Sequence, residues 1–290
     1  MSVPPEDLPV THHHDVYPAI DPIAHFQNQT YKGKVVLITG SSRGIGQEVA
    51  LFYARAGATV VLVARQQSTL DAVRDVIVKE VPTATLASFV ADVTKTTQVQ
   101  AAVEGAVKKF GKLDIVLANA GTINEMKKPF TENDPDEWWN TIEVNVRGVY
   151  NVAHYALPHL DKTSGYFLIT SSVAAQFRFP NSSAYQLSKH AVGRLNEFIK
   201  LEHPKVKTIA VHPGGIMTKL ADLVPEIHQL LVDTLQLPAA TILQLTSGKY
   251  DWFSGRFVSS NWDLGEVESQ FKEKILAEDA LVSRLAIPQA

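Results

Sequence analysis

Short apolar runs alternate along this chain with longer segments in which apolar residues recur every three or four positions. Val35-Val36-Leu37-Ile38-Thr39 is an unbroken apolar run that ends in glycine, the pattern of a strand buried on both faces. Gly44 to Gly57 follows as a helix, then Thr59–Val63 as a second strand. The same pattern predicts a helix over 68–80, a strand over 86–90, a helix over 96–110 and a fourth strand over 113–118. Past a loop with Pro129 and Pro135, a long helix runs over 136–160. Strands at 166–170 and 206–211 flank a helix at 184–202; a loop and helices occupy 214–248, and a short last strand falls at 256–258. This alternation calls for an α/β fold with a doubly wound parallel sheet covered on both faces. There is no internal repeat and no linker after residue 34, so residues 31–290 read as a single domain. Residues 1–30, with Pro4, Pro5, Pro9, Pro18 and Pro22, lack periodicity. They read as an N-terminal extension outside the core, with Tyr17, Ile20, Ile23 and Phe26 as points where its later part packs on the domain surface.

Composition narrows the partners. A chain of 290 residues with 45% hydrophobic and 20% charged residues can bury a substantial core. The formal net charge of -3 argues against nucleic acid or an anionic membrane as the main partner. Cysteine is absent, which excludes disulfides, thiolate catalysis and cysteine-ligated metal, and fits a reducing compartment. No apolar run approaches the ~18 residues of a spanning helix. Met1–Asp15 carries acids and prolines where a signal peptide has a basic and then an apolar stretch. The expectation is a soluble, cytoplasmic protein. His12, His13 and His14 are consecutive, but no metal-ligand spacing accompanies them, and no metal is expected.

Two motifs carry chemistry. Thr39-Gly40-Ser41-Ser42-Arg43-Gly44-Ile45-Gly46 lies between the first strand and the first helix. Glycines there allow a tight turn and a close approach of backbone to a pyrophosphate seated on the helix N-terminus. In that context the sheet reads as a Rossmann fold. The ribose reader is expected at the end of the second strand, where Val63-Ala64-Arg65 offers no carboxylate. Arg65 can pair with a 2′-phosphate, and Arg43 can reach it from inside the turn; the cofactor this predicts is NADP(H). The second motif is Tyr185-Gln186-Leu187-Ser188-Lys189. Residues four apart share a helix face, and an ammonium beside a phenol favours its ionised form. Tyr185 and Lys189 thus read as a tuned general acid/base.

With these motifs in order, the chain from about Gly33 to Val258 resembles the short-chain dehydrogenase/reductase family. The resemblance rests on the Thr-Gly-x-x-x-Gly-x-Gly spacing and on Asn119-Ala120-Gly121 after the fourth strand. Asn145 in Glu143-Val144-Asn145-Val146, Ser172 thirteen residues before Tyr185, and Pro213-Gly214 with Thr218 after the sixth strand complete it. The N-terminal extension and the tail at 255–265 resemble fungal members. The resemblance implies that Tyr185 moves the proton and that Lys189 lowers its pKa and binds the nicotinamide ribose. It implies that Ser172 orients the carbonyl and that Asn145 holds a water linking Lys189 to solvent. For the cofactor it implies contacts from Gly40, Ser42, Arg43, Gly44, Ile45, Gly46, Arg65, Val93, Asn119, Ala120, Gly121, Pro213 and Gly214. Asp92 would meet the adenine amino group, and the Ile216 backbone and Thr218 hydroxyl the carboxamide. Gly215 departs from the usual pattern and adds flexibility to that last turn. A lid is expected at about 217–240; Phe177, Phe179, Pro180, Met217, Leu220, Leu223, Val224, Ile227 and Leu230 suggest an apolar or aromatic ketone, aldehyde or secondary alcohol. Family members are usually dimers or tetramers through the helices placed here at 136–160 and 184–202, so a homodimer or homotetramer is expected. A nonenzymatic NADP(H) sensor is the alternative, disfavoured because a sensor can dispense with Ser172, Tyr185 and Lys189.

Overall fold

Seven β-branched and aliphatic runs pair into one parallel sheet: β1 Val35–Thr39, β2 Thr59–Ala64, β3 Thr85–Val90, β4 Ile115–Ala118, β5 Tyr166–Thr170, β6 Lys207–His212 and β7 Arg256–Ser259. Their spatial order is β3-β2-β1-β4-β5-β6-β7. The computed structural model describes residues 7–285 and 287. Successive strand residues point to opposite faces. Val36 and Ile38 therefore join one core cluster while Val35 and Leu37 join the other. Helices cover both faces: α1 Ile23–Asn28, α2 Gly44–Arg55, α3 Gln67–Glu80, α4 Thr96–Phe110, α5 Pro135–Ile142, α6 Gly148–Thr163, α7 Ser183–Glu202 and α8 Gln236–Leu245. α2, α3 and α8 pack on one face; α4, α6 and α7 pack on the other. The winding reverses between β1 and β4, and the crevice at the carboxyl ends of those two strands is where open α/β sheets bind ligands. No helix among the described residues is long and apolar enough to cross a membrane.

Four elements depart from the sequence reading. The segment 113–118 is strand only from Ile115, because the Asp114 carboxylate takes the Val35 N–H at 2.9 Å and pairs with Lys34 and Lys112. The helix expected over 136–160 is interrupted by a π-turn, Glu143–Arg147, between α5 and α6. The lid expected at 217–240 consists of 3₁₀ turns at Ala221–Leu223 and Pro225–Leu230. Residues from Gln236 onward already belong to α8, where Leu237, Ala239 and Ala240 are fully buried.

The fourth departure is the N-terminal extension, which is not outside the core. Tyr17 and Ile20 are buried within it, and Phe26 packs edge-on against Phe52, while Ile23 stays exposed. Polar groups explain why the segment is held so firmly. Tyr17 Oη donates to Trp262 O and accepts from the Leu264 N–H; Tyr31 Oη donates to Leu243 O and shares Thr246 Oγ1 with Tyr53. The three consecutive histidines each face an aspartate: His12 faces Asp7, His13 Asp263 and His14 Asp233.

Candidate active site

The chain must turn sharply between Thr39 and Gly44. Gly40 and Gly44 adopt φ of +65° and +56°, a left-handed region that favours glycine. Close approach, not torsion, dictates Gly46: a Cβ there would overlap Gly40 O and lie 2.7 Å from Asn119 Nδ2. Asn119 Nδ2 donates to Thr39 O and Gly40 O at 3.1 and 3.2 Å, and Thr39 Oγ1 accepts from the N–H groups of Asn119 and Ala120. Ser41, fully buried, accepts the Val63 N–H at 2.9 Å and so ties the turn to β2. Ser42 and Ile45 are half-buried in the same turn. The first turn of α2 has neither a side-chain cap nor an acid, so its N–H groups are left for an anion.

Arg43 and Arg65 flank this turn, both exposed; neither guanidinium has a carboxylate partner among the described residues. Beyond β3, Asp92 Oδ1 accepts from the Thr94 N–H and hydroxyl at 2.9 and 2.8 Å. Val93 packs on Gly148, where a Cβ would come within 2.6 Å of it.

At the neighbouring strand ends the second group of residues converges. Tyr185 and Lys189 lie in the first two turns of α7 and face the end of β5. Lys189 Nζ donates to Thr170 O at 2.8 Å and lies 5.6 Å from the centre of the Tyr185 ring. Ser172, two residues past Thr170, opens a 3₁₀ turn by accepting the Ala174 N–H. Burial lowers the Lys189 ammonium to about 8. Burial also raises the Tyr185 phenol above its ordinary value, with the Ser172 hydroxyl acting in the opposite direction. Desolvation is the largest influence on Tyr185, while Lys189, with one of its three protons on Thr170 O, stands 5.6 Å from the ring centre.

Asn145 sits in the π-turn, fully buried. Its Oδ1 accepts from the Thr122 N–H, and its Nδ2 donates to Thr122 O and Ser188 Oγ, all at 2.8–2.9 Å. The side chain therefore fastens the loop after β4 to α7. Gly121 closes the group: a Cβ there would lie 3.3 Å from Asn145 Oδ1 and 3.6 Å from Lys189 Nζ. The backbone after β4 passes close to Asn145 and Lys189 because it carries no side chain at Gly121.

The turn after β6 comes back to the glycine turn, with the Thr218 methyl 3.5 Å from where a Cβ on Gly44 would stand. Pro213 and Ile216 are buried, and Gly214 adopts φ +100°. Gly215 is not a loose point. Asp233 Oδ2 takes its N–H at 2.5 Å, the Asp233 N–H donates to its carbonyl at 2.9 Å, and a Cβ on it would lie 2.7 Å from Leu230 O. Its missing side chain admits the returning lid.

Exposed apolar side chains occur on the segments that follow β5 and β6. Phe177 and Phe179 meet edge-on, and Phe179, Met217, Leu223, Leu230 and Val232 are exposed. Gln186, next to Tyr185, holds the Phe179 backbone through both its N–H and its carbonyl, at 3.0 and 2.9 Å. Ser41, Gln186 and Asp233 escape a reading by motif, because each acts on a backbone brought near only by the fold. Sequence spacing carries no signal for them.

Residues 34–227 match the family model described as short chain dehydrogenase. The chain is 36% identical over 285 residues to the short chain dehydrogenase mpl6 of Monascus purpureus, covering 95% of each protein. It is 34% identical to the short chain dehydrogenase pigC of Monascus ruber, covering 95% of this chain and 92% of the relative. Among solved structures, levodione reductase superposes with a TM-score of 0.74 at 25% identity, over 83% of this chain and all of that one. A 7α-hydroxysteroid dehydrogenase complexed with NADH and 7-oxo glycochenodeoxycholic acid superposes with a TM-score of 0.74 at 26% identity, over 85% of this chain and 97% of that one. The single parallel sheet accords with these matches, and the chain belongs to the short chain dehydrogenase family of oxidoreductases.

Proposed function

We propose that this oxidoreductase interconverts a ketone or aldehyde with the corresponding alcohol, using NADP(H), as a cytoplasmic homo-oligomer. The observation that carries the reading is the gathering of Tyr185 and Lys189 at the end of β5, where Lys189 Nζ lies 5.6 Å from the Tyr185 ring centre and donates to Thr170 O, two residues before Ser172. A dinucleotide suits the adjoining crevice. Gly40 and Gly46 let the turn close against Ala120 and Asn119, α2 begins uncapped, and Arg43 and Arg65 have no carboxylate partner among the described residues. Gly40 through Gly46, with Ser42 and Ile45, would hold the pyrophosphate, and Arg43 and Arg65 the 2′-phosphate. Asp92 and Val93 would border the adenine; Asn119, Ala120, Gly121 and Lys189 the nicotinamide ribose; and Pro213, Gly214, Ile216 and Thr218 the carboxamide.

When bound, the nicotinamide supplies the hydride. Tyr185, a neutral phenol, donates its proton to the substrate oxygen as charge develops there. The Ser172 hydroxyl shares that charge, and the Lys189 ammonium stabilises the phenolate left behind. Asn145 Oδ1 faces the same space as Lys189 Nζ, on the route by which solvent protons would return to Tyr185. Retention of all four side chains favours catalysis over a purely sensory role.

The exposed apolar side chains after β5 and β6 favour an apolar or aromatic substrate. Exposed Tyr150 on α6 and Leu187, Phe198 and Leu201 on α7 support self-association through those helices. The test is a cofactor-oxidation screen across carbonyl classes: aryl and alicyclic ketones are expected to oxidise NADPH much faster than ketoses do. Faster turnover of sugars sinks the substrate assignment, and no turnover of any carbonyl sinks the enzymatic one.

A pH profile checks the roles of Tyr185 and Lys189. Lys189, lowered to about 8 by burial, is charged below that pH and neutral above it, while Tyr185, shifted upward, keeps its proton. Ketone reduction is therefore expected to hold a plateau below about pH 8. Above it kcat/KM should fall by about tenfold per pH unit, as the charged form does. A profile flat to pH 10 contradicts the assignment.

A further inference from the structure

The turn that would hold the carboxamide is fixed by groups that lie far from it in sequence. Asp233 stands where the lid rejoins the body of the protein, and its side chain is only 4% exposed. Both oxygens are engaged: Oδ2 accepts from the Gly215 N–H and from Asn261 Nδ2 at 2.9 Å, while Oδ1 lies 2.5 Å from His14 Nδ1. The Asp233 N–H returns to Gly215 O, and Ile216 pairs with Asp233 as a parallel bridge. One residue thus grips both polar ends of Gly215 and sets the plane of the peptide that leads into Ile216. The fit is tight, since a Cβ on Gly214 would come within 2.5 Å of Asp233 Oδ2.

The N-terminal segment braces this carboxylate. Thr234 N–H donates to His14 O and Thr234 Oγ1 to Asp15 Oδ1, while Asn261 Nδ2 also donates to His13 O. His13 stacks on Tyr17 at 3.9 Å and faces Asp263. A buried carboxylate is costly unless its oxygens are satisfied. Gly215, Asn261 and His14 together satisfy this one.

We propose that Asp233 is a positioning residue for the carboxamide-holding turn and that His14 acts through it, which makes the N-terminal segment part of the cofactor site. The inference rests on the proposed NADP(H) reading. Asp233 touches neither substrate nor cofactor; it fixes the direction in which the Ile216 backbone and Thr218 face.

The test separates the two halves of the cofactor. Affinity for 2′,5′-ADP reports only the adenosine side, and the 3-acetylpyridine analogue of NADP replaces the carboxamide amino group by methyl. Wild-type protein is expected to prefer the natural cofactor over the analogue. Asp233→Ala is expected to lose roughly tenfold or more in kcat/KM for NADPH, the scale of one charged hydrogen bond. It should also lose the preference between natural cofactor and analogue, and keep the 2′,5′-ADP affinity within about twofold. Asp233→Asn, which keeps an oxygen for the Gly215 N–H, should restore part of the preference. His14→Ala should show a smaller loss in the same direction and add nothing to Asp233→Ala, as expected of coupled residues. An Asp233→Ala protein that discriminates like wild type overturns the proposal. So does one that loses 2′,5′-ADP affinity in parallel, because the defect is then general. A wild-type protein that binds none of 2′,5′-ADP, NADP or NAD overturns the functional reading and the proposal with it.

Discussion

Tyr185→Phe is expected to lower kcat by about a thousandfold, within the range general acid catalysis supplies, while leaving the thermal midpoint and NADPH affinity close to wild type. The reasoning is local. The substitution removes only the phenolic oxygen, which meets Ser172, and keeps the ring over which Lys189 lies. Lys189 keeps its bond to Thr170 O, and the glycine turn is not touched. Turnover should fall as a loss in kcat with little change in the KM for NADPH, because the proton moves only as charge develops on the substrate oxygen. Steady-state kinetics beside a fluorescence titration of NADPH decide the matter. Activity within tenfold of wild type removes Tyr185 from the acid's role.

The double variant Arg43→Gln/Arg65→Gln is expected to reduce kcat/KM with NADPH by about a hundredfold, roughly tenfold for each charge-assisted hydrogen bond to phosphate. The value with NADH should stay within about threefold, since no charge on that cofactor reaches the same place. Neither guanidinium is committed to a carboxylate among the described residues, so removing them breaks no ion pair and the effect should fall on the cofactor alone. The two sit on different segments, one in the glycine turn and one just past β2. Each single variant should therefore show about half of the effect on a logarithmic scale. Measuring kcat/KM for both cofactors across the four proteins tests this, and equal losses with NADPH and NADH refute the phosphate contact.

Much of this architecture is written in local patterns. The runs that became β1, β2 and β5 are apolar on both faces because helices cover the sheet on both sides, and such runs are visible without any knowledge of the fold. The glycine turn and the Tyr185–Lys189 spacing are legible for the same reason: their chemistry needs residues close together in sequence. The π-turn at 143–147 was not legible. It depends on Asn145 reaching Thr122 and Ser188 on two other elements, a tertiary demand that helical periodicity does not encode. The bond from Lys189 to Thr170 O was not legible either, because spacing gives the shared helix face but not the strand end that the face meets. Residues 1–30 read as an extension outside the core because prolines break their periodicity. What holds the described part of them is a set of long-range polar contacts through Tyr17 and His14. Gly215 looked like added freedom for a similar reason, its partner Asp233 being eighteen residues away.

The stitching of residues 11–17 onto 261–266 also has a consequence for the order in which the molecule is made. Thr11 binds Glu266 through both its N–H and its hydroxyl, and the His13 N–H donates to Asn261 O. A growing chain emerges from its amino end first. Strands β1 to β3 can pair with one another early, but the segment preceding them must wait for residues 261–266 before it finds its place. Until then Tyr17 and Ile20 remain uncovered, because they pack on α8 and on residues 262–266. Contacts of such sequence separation are the slow ones in folding. Residues 11–17 are thus laid down after the strands that follow them, and a nascent chain halted before residue 260 would leave them unpaired.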